Sequence, residues 1–170
     1  MYIAKFRYMC YNTQKFLGKK EIFMDEISNI IYEYAYDILS SENMQSEKNF
    51  IQHGSVSVYQ HSLNVTKSCI KLTKALHINV DMRSLVRGAL LHDYFLYDWH
   101  ISDKSHCLHG FRHAGFALKN ASAEYQLNKI EKNMIKRHMF PLNPVPPRYK
   151  ESCILCIADK ICAVKETFFS

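Results

Sequence analysis

Between Val58 and Leu76 the positions Val58, His61, Val65, Cys69, Leu72 and Leu76 follow one another at steps of three and four, and all but His61 are apolar. That spacing is the period of an α-helix, and such a stripe has to be buried against other helices. The same rhythm runs through most of the chain. Phe23, Ile27, Ile30, Ile31, Tyr34 and Ile38 predict a helix over 21–39. Asp81 reads as the N-cap of a helix carrying Leu85, Val86, Ala89 and Leu90, with its inner face running on to His92 and Asp93. Another starts near Gly110 and turns His113, Ala114, Ala117, Leu118 and Ala121 inward, and Leu127, Ile130, Met134 and His138 form the next, ended by Pro141. The last buries Leu155, Ala158, Asp159 and Cys162, after a stiff connector from Pro141 to Pro147. Five glycines and four prolines in 170 residues are too few for the many tight turns of a sheet protein. Five or six helices in one all-α domain are expected, with residues 1–49 as a lead-in and helix packed on a unit spanning 50–170.

Charge and cysteine content narrow the partners. Twenty-two Lys and Arg against sixteen Asp and Glu leave a net charge of +6. These cations are scattered, with the densest group at Lys15, Lys19 and Lys20, so no stripe marks a specific nucleic-acid binder. No run approaches a membrane span, and the N-terminal MYIAKFRYMC lacks the apolar core of a signal peptide. Six cysteines without a secretory signal predict reduced thiols and a cytoplasmic location. Cys153 and Cys156 make a single C-x-x-C whose residues fit a helical stripe, which favours core cysteines over a zinc knuckle.

The chemistry lies where polar residues interrupt the stripes. His61, His92 with Asp93, His113, His138 and Asp159 each fall on the inner face of a different helix. A buried ionisable group costs several kcal/mol unless paired. One such histidine reads as a satisfied core residue; a series on five successive helices reads as convergent ligands in a bundle interior. Nine histidines support this, although His100, His106 and His109 fall in the polar loop between His92 and His113.

The order His61, His92-Asp93, Asp159, within the segments GALLHDYFLYDW and CIADKICAVKE, resembles the signature of the HD-domain superfamily of metal-dependent phosphohydrolases. The resemblance covers about residues 50–167. It implies an HD-domain-like helical bundle of five to seven helices, in which His61, His92, Asp93 and Asp159 hold a divalent metal. It also implies that His113 and His138 add a second ion with Asp93 bridging, so that the chain carries one or two ions, with two expected. Carboxylate and imidazole ligands suit Fe, Mn, Zn, Co or Ni. His109, one turn from His113, competes with it as a ligand, a substrate contact or a loop residue.

One departure stands out. Many binuclear relatives carry a Gly-Lys after the His-Asp pair, whose lysine contacts phosphate; here Tyr94, Phe95, Leu96 and Tyr97 follow. Arg112, Arg137 and Lys160, beside ligand positions, are the candidates to replace that cation or else solvated flanks. Tyr97, Asp98 and Trp99 line the mouth or pack in the core. The expected activity is hydrolysis of a small phosphate ester, such as a nucleotide, with Asp93, Lys160 and Arg112 as catalytic candidates. The same ligands would also serve a di-iron oxygenase or a non-catalytic metal- or nucleotide-binding sensor.

Overall fold

A computed structural model describes residues 25–101 and 109–169. The expectations placed on Lys15, Lys19, Lys20, Phe23, Cys10, Cys107 and His106 lie outside those residues. Among the described residues, seven α-helices run in order: α1 (Glu26–Leu39), α2 (Glu42–Ser46), α3 (Val58–Ala75), α4 (Met82–Leu90), α5 (His109–Glu124), α6 (Lys129–Arg137) and α7 (Lys150–Phe169). A 3-10 turn (Glu47–Asn49) and a small antiparallel hairpin, β1 (Ile51–His53) and β2 (Val56–Ser57), lie between α2 and α3. No strand was expected there. The hairpin has only five strand residues, below the length at which alternation can be read, and Gly54 makes its turn at φ 57°, a left-handed conformation that favours glycine.

The helix starts are written in capping residues. Asp25 accepts from the backbone N–H of Ile27 and Ser28, Ser57 from Gln60, and Asp81 from Ser84. Asn128 and Glu131 close a reciprocal capping box at α6. Two buried clusters follow from the predicted stripes. Ile31, Ile38, Ile70, Val86, Leu90 and Ile135 pack between α1, α3, α4 and α6, and Val65, Leu85, Met134, Leu155 and Ala158 between α3, α4, α6 and α7. The α4–α6 approach is close: a Cβ on Gly88 would stand 2.6 Å from the Met134 sulfur. Arg87, buried on α4, grips Asp37 of α1 at 2.7 and 2.9 Å, which fixes α1 on the bundle.

Some expected stripes end earlier than their periodicity. Leu76 is 62% exposed because α3 stops at Ala75. Helix α4 stops at Leu90 with Leu91 as its cap, so His92 and Asp93 lie on the turn beyond it and not on a helical face. Likewise α6 ends at Arg137, and His138 is its cap. His109, expected in a loop, is the first residue of α5.

Candidate metal centre

The six polar residues that broke the apolar stripes converge. His61 enters from the first turn of α3, His92 and Asp93 from the turn after α4, His113 from α5, His138 from the end of α6 and Asp159 from the middle of α7. All six are buried. They form two sets with ligand atoms within 4.8 Å of one another: His61, His92 and Asp159, and Asp93, His113 and His138. Asp93 sits between the sets. Its Oδ2 is 3.8 Å from His61 Nε2 and 3.4 Å from His92 Nε2, while its Oδ1 is 3.3 Å from His113 Nε2 and 3.4 Å from His138 Nε2.

Outer hydrogen bonds fix which nitrogen faces inward. Nδ1 of His92 lies 2.8 Å from the Ala89 carbonyl, that of His113 3.0 Å from the His109 carbonyl, and that of His138 2.8 Å from the Ile135 carbonyl. A carbonyl only accepts, so each Nδ1 carries the hydrogen. Each neutral ring then presents the lone pair of Nε2 to the centre. His61 is held in the same orientation, its Nδ1 donating to Glu166 Oε2 at 2.6 Å and its Nε2 turned to the centre.

This donor set is what a cation requires. Nε2 of His113 and Nε2 of His138 stand 2.8 Å apart, so two neutral rings would oppose two lone pairs at that distance. His92 Nε2 and Asp93 Oδ1 are buried without a hydrogen-bond partner. Four inward imidazole nitrogens and two carboxylates suit borderline divalent ions better than magnesium. Protons fill the role when no ion is bound. Burial disfavours charge on His61, yet hydrogen bonds to Asp159 and Glu166 raise it to about 10. Burial likewise opposes charge on His113, which Asp93 nonetheless raises, while burial lowers His138. Burial would push Asp159 up, but its hydrogen bond with His61 and the His92 imidazole 3.7 Å away hold it well below the usual carboxylate range.

A cavity of about 650 Å³ opens on this floor. Asp93, His113, His138 and Asp159 line its inner end; Trp99, Met139, Pro141, Leu142 and Ala163 give it an apolar wall, and Gln52, His53, His109 and Lys160 its polar edge. Lys160 therefore lies at the cavity, its Nζ donating to the His138 and Cys156 carbonyls at 3.2 and 3.3 Å. Arg112 does not. Together with Arg137 it lines a separate groove of about 510 Å³ outside α5 and α6, its guanidinium 5.3 Å above the Phe116 ring. One position along a helix is about 100° of rotation, which carries a neighbour of His113 away from the centre.

The segment after the His-Asp pair is divided between core and mouth. Tyr94 and Phe95 are buried, and the Tyr94 hydroxyl donates to Glu124 at 2.6 Å. Leu96 takes a left-handed φ of 61° that turns the chain, after which Tyr97 bonds His109 at 2.9 Å and Trp99 reaches the cavity. Asp98 caps the turn at His100. His109 stacks between Trp99 and His113 and belongs to neither ligand set. Cys153 is exposed and Cys156 is buried, donating to the Arg137 carbonyl, and neither joins a candidate metal group.

Four residues at the centre carry no signal in the stripes as read from the sequence. Gln52, on β1, donates to Asp93 Oδ2 at 2.6 Å. His53 stands edge-on to His61 at 5.3 Å between ring centroids. Glu47 is fully buried with neither oxygen hydrogen-bonded. Glu166 holds His61. Of these only Glu166 had a readable cue: it follows Asp159 by seven residues, two helical turns along the same face.

Among the described residues, no helix is long and apolar enough to cross a membrane. No curated protein and no solved structure matches the chain significantly. The family model described as HD domain matches residues 58–164, more than half of the chain, and spans every one of the six converging side chains. The chain belongs to the HD-domain family.

Proposed function

We propose that this protein is a metal-dependent phosphohydrolase that cleaves a small phosphate ester, with His61, His92, Asp93, His113, His138 and Asp159 holding two divalent ions. The observation that carries the reading is Asp93, whose two oxygens each face a different pair of imidazole Nε2 atoms. When bound, such ions supply Lewis acidity toward phosphoryl oxygens and activate water at neutral pH. The chain's own residues do the rest. The Nδ1 hydrogen bonds hold four rings with Nε2 turned inward, so ion binding needs little ring movement, and at His61 the loss of the Nε2 proton. Lys160, tethered by two carbonyls at the cavity edge, offers a positive charge to a phosphoryl group. The wall of Trp99, Met139 and Leu142 receives the organic part of the ester and limits water.

The test is phosphate release from a panel of small phosphomonoesters, phosphodiesters and nucleotides by protein loaded with Mn²⁺, Fe²⁺ or Co²⁺. Release that chelator abolishes and metal restores supports the reading. Tight binding without turnover across the panel favours a sensor, and oxygen uptake by the iron form without phosphate release favours an oxygenase; either result overturns it.

A further inference from the structure

The four inward histidines are not held alike. His92, His113 and His138 each turn Nδ1 to a carbonyl three or four residues earlier in their own segment. His61 turns its Nδ1 to a carboxylate from the far end of another helix, Glu166 Oε2 at 2.6 Å. Glu166 is 6% exposed, and its other oxygen accepts from Asn64 Nδ2 at 2.7 Å, so its orientation is fixed from both sides. Residue 166 lies two positions beyond the stretch that the family model matches.

The difference is one of charge. A carbonyl offers a dipole; a carboxylate offers a formal negative charge, and its hydrogen bond is shorter and roughly twice as strong. A carboxylate behind a ligating imidazole fixes the ring and raises the basicity of its other nitrogen. That charge stands behind only one of the two ligand sets. Gln52 also touches that side of the centre, donating to the Asp93 oxygen that faces it, but as a neutral amide that orients the carboxylate without adding charge.

We propose that Glu166 is a positioning residue that acts through His61 and makes the His61–His92–Asp159 set the tighter of the two ion sites. The inference rests on the metal-centre reading and is independent of which reaction the centre performs.

The test is calorimetric titration of the metal-free full chain with Mn²⁺, repeated with Co²⁺ and followed by its visible absorption bands. The wild type is expected to bind in two steps, with His138→Ala erasing the weaker one. Glu166→Ala should weaken the tighter step about 10–100-fold, shift the Co²⁺ bands of that step and leave the weaker step within about twofold. Glu166→Gln, which keeps an acceptor but no charge, should fall between, and Asn64→Ala should have a smaller effect than either. If Glu166→Ala weakens both steps in proportion, its role is structural and the inference fails. If neither step moves, it fails as well. A wild type that binds no Mn²⁺ overturns the metal-centre reading itself. Phosphate release is not read in any arm, so a metal-binding chain without hydrolase activity still decides the question.

Discussion

Helices α5 and α6 present two faces with opposite chemistry. Inward, His113 and His138 bring two imidazole nitrogens to 2.8 Å from each other and to 3.3 and 3.4 Å from Asp93. Outward, Arg112 and Arg137, their immediate neighbours in sequence, line a separate groove with Lys119 and Lys136. Adjacency along a helix thus separates side chains in space, and a cation beside a ligand in sequence is not a cation beside the ligand's ion. Lys160 differs because α7 passes along the cavity, and its residue after Asp159 falls at the edge and not behind the wall.

The sharpest contrast between the faces is expected from Asp93→Ala. Removing the carboxylate that faces both pairs of imidazoles should cost several kcal/mol of metal-derived stabilisation, on the order of 10³-fold in phosphate release, with loss of bound metal measured in the same sample. Next comes Gln52→Ala, which frees the Asp93 oxygen that Gln52 now holds; metal affinity or turnover should fall about 10–100-fold. A weaker effect there would show that Asp93 is oriented by the ligands alone.

Proton release provides a third measure of the inner face. In the metal-free protein His61 titrates at about 10, held up by Asp159 and Glu166 against its burial. At pH 7.5 it is protonated, and an ion needs its Nε2 bare, so binding should expel about one proton from this ring. Calorimetry in buffers of different ionisation enthalpy should show that release shrinking as pH rises through about 10. Glu47 makes a smaller and separate prediction. Burial first, and then the negative Asp93, raise its pKa well above the ordinary value. A raised carboxyl pKa favours the folded state at low pH, and that advantage is lost as pH climbs above the unfolded value toward the folded one. Glu47→Gln should therefore raise Tm at pH 8 by roughly 2–4 °C, equivalent to about 1 kcal/mol, with the gain vanishing toward pH 4. The smallest effect belongs to the outer face: Arg112→Ala should leave phosphate release unchanged within about twofold, and a larger loss would place that groove in the reaction.

How much of this was legible in sequence depends on which residues obey a period. His61, His113 and Asp159 sit in regular helix, where a polar residue on an apolar stripe is visible at once. His92, Asp93 and His138 continue stripes whose helices stop just short of them, at Leu90 and Arg137. The helices deliver them, but caps and turns aim them, and no period encodes that aim. Gln52 and His53 stand on a three-residue strand too short to alternate, and Glu47 on a single 3-10 turn. Their approach to Asp93 is long-range packing of α2 and the hairpin onto the bundle, which local pattern does not record. The aromatic pair Tyr94 and Phe95 after the His-Asp pair also has its reason in packing, because both rings fill the core beneath the turn.

The central claim is that Asp93 would help to hold two ions, one with each neighbouring group of ligands, and crystallographic anomalous scattering tests it most directly. Crystals of the full chain grown with Mn²⁺ and measured for manganese anomalous signal should show two peaks, one between Asp93 and the His61–His92–Asp159 set and one between Asp93 and His113 with His138. No peak at Asp93, or metal bound only elsewhere on the molecule, would contradict the account.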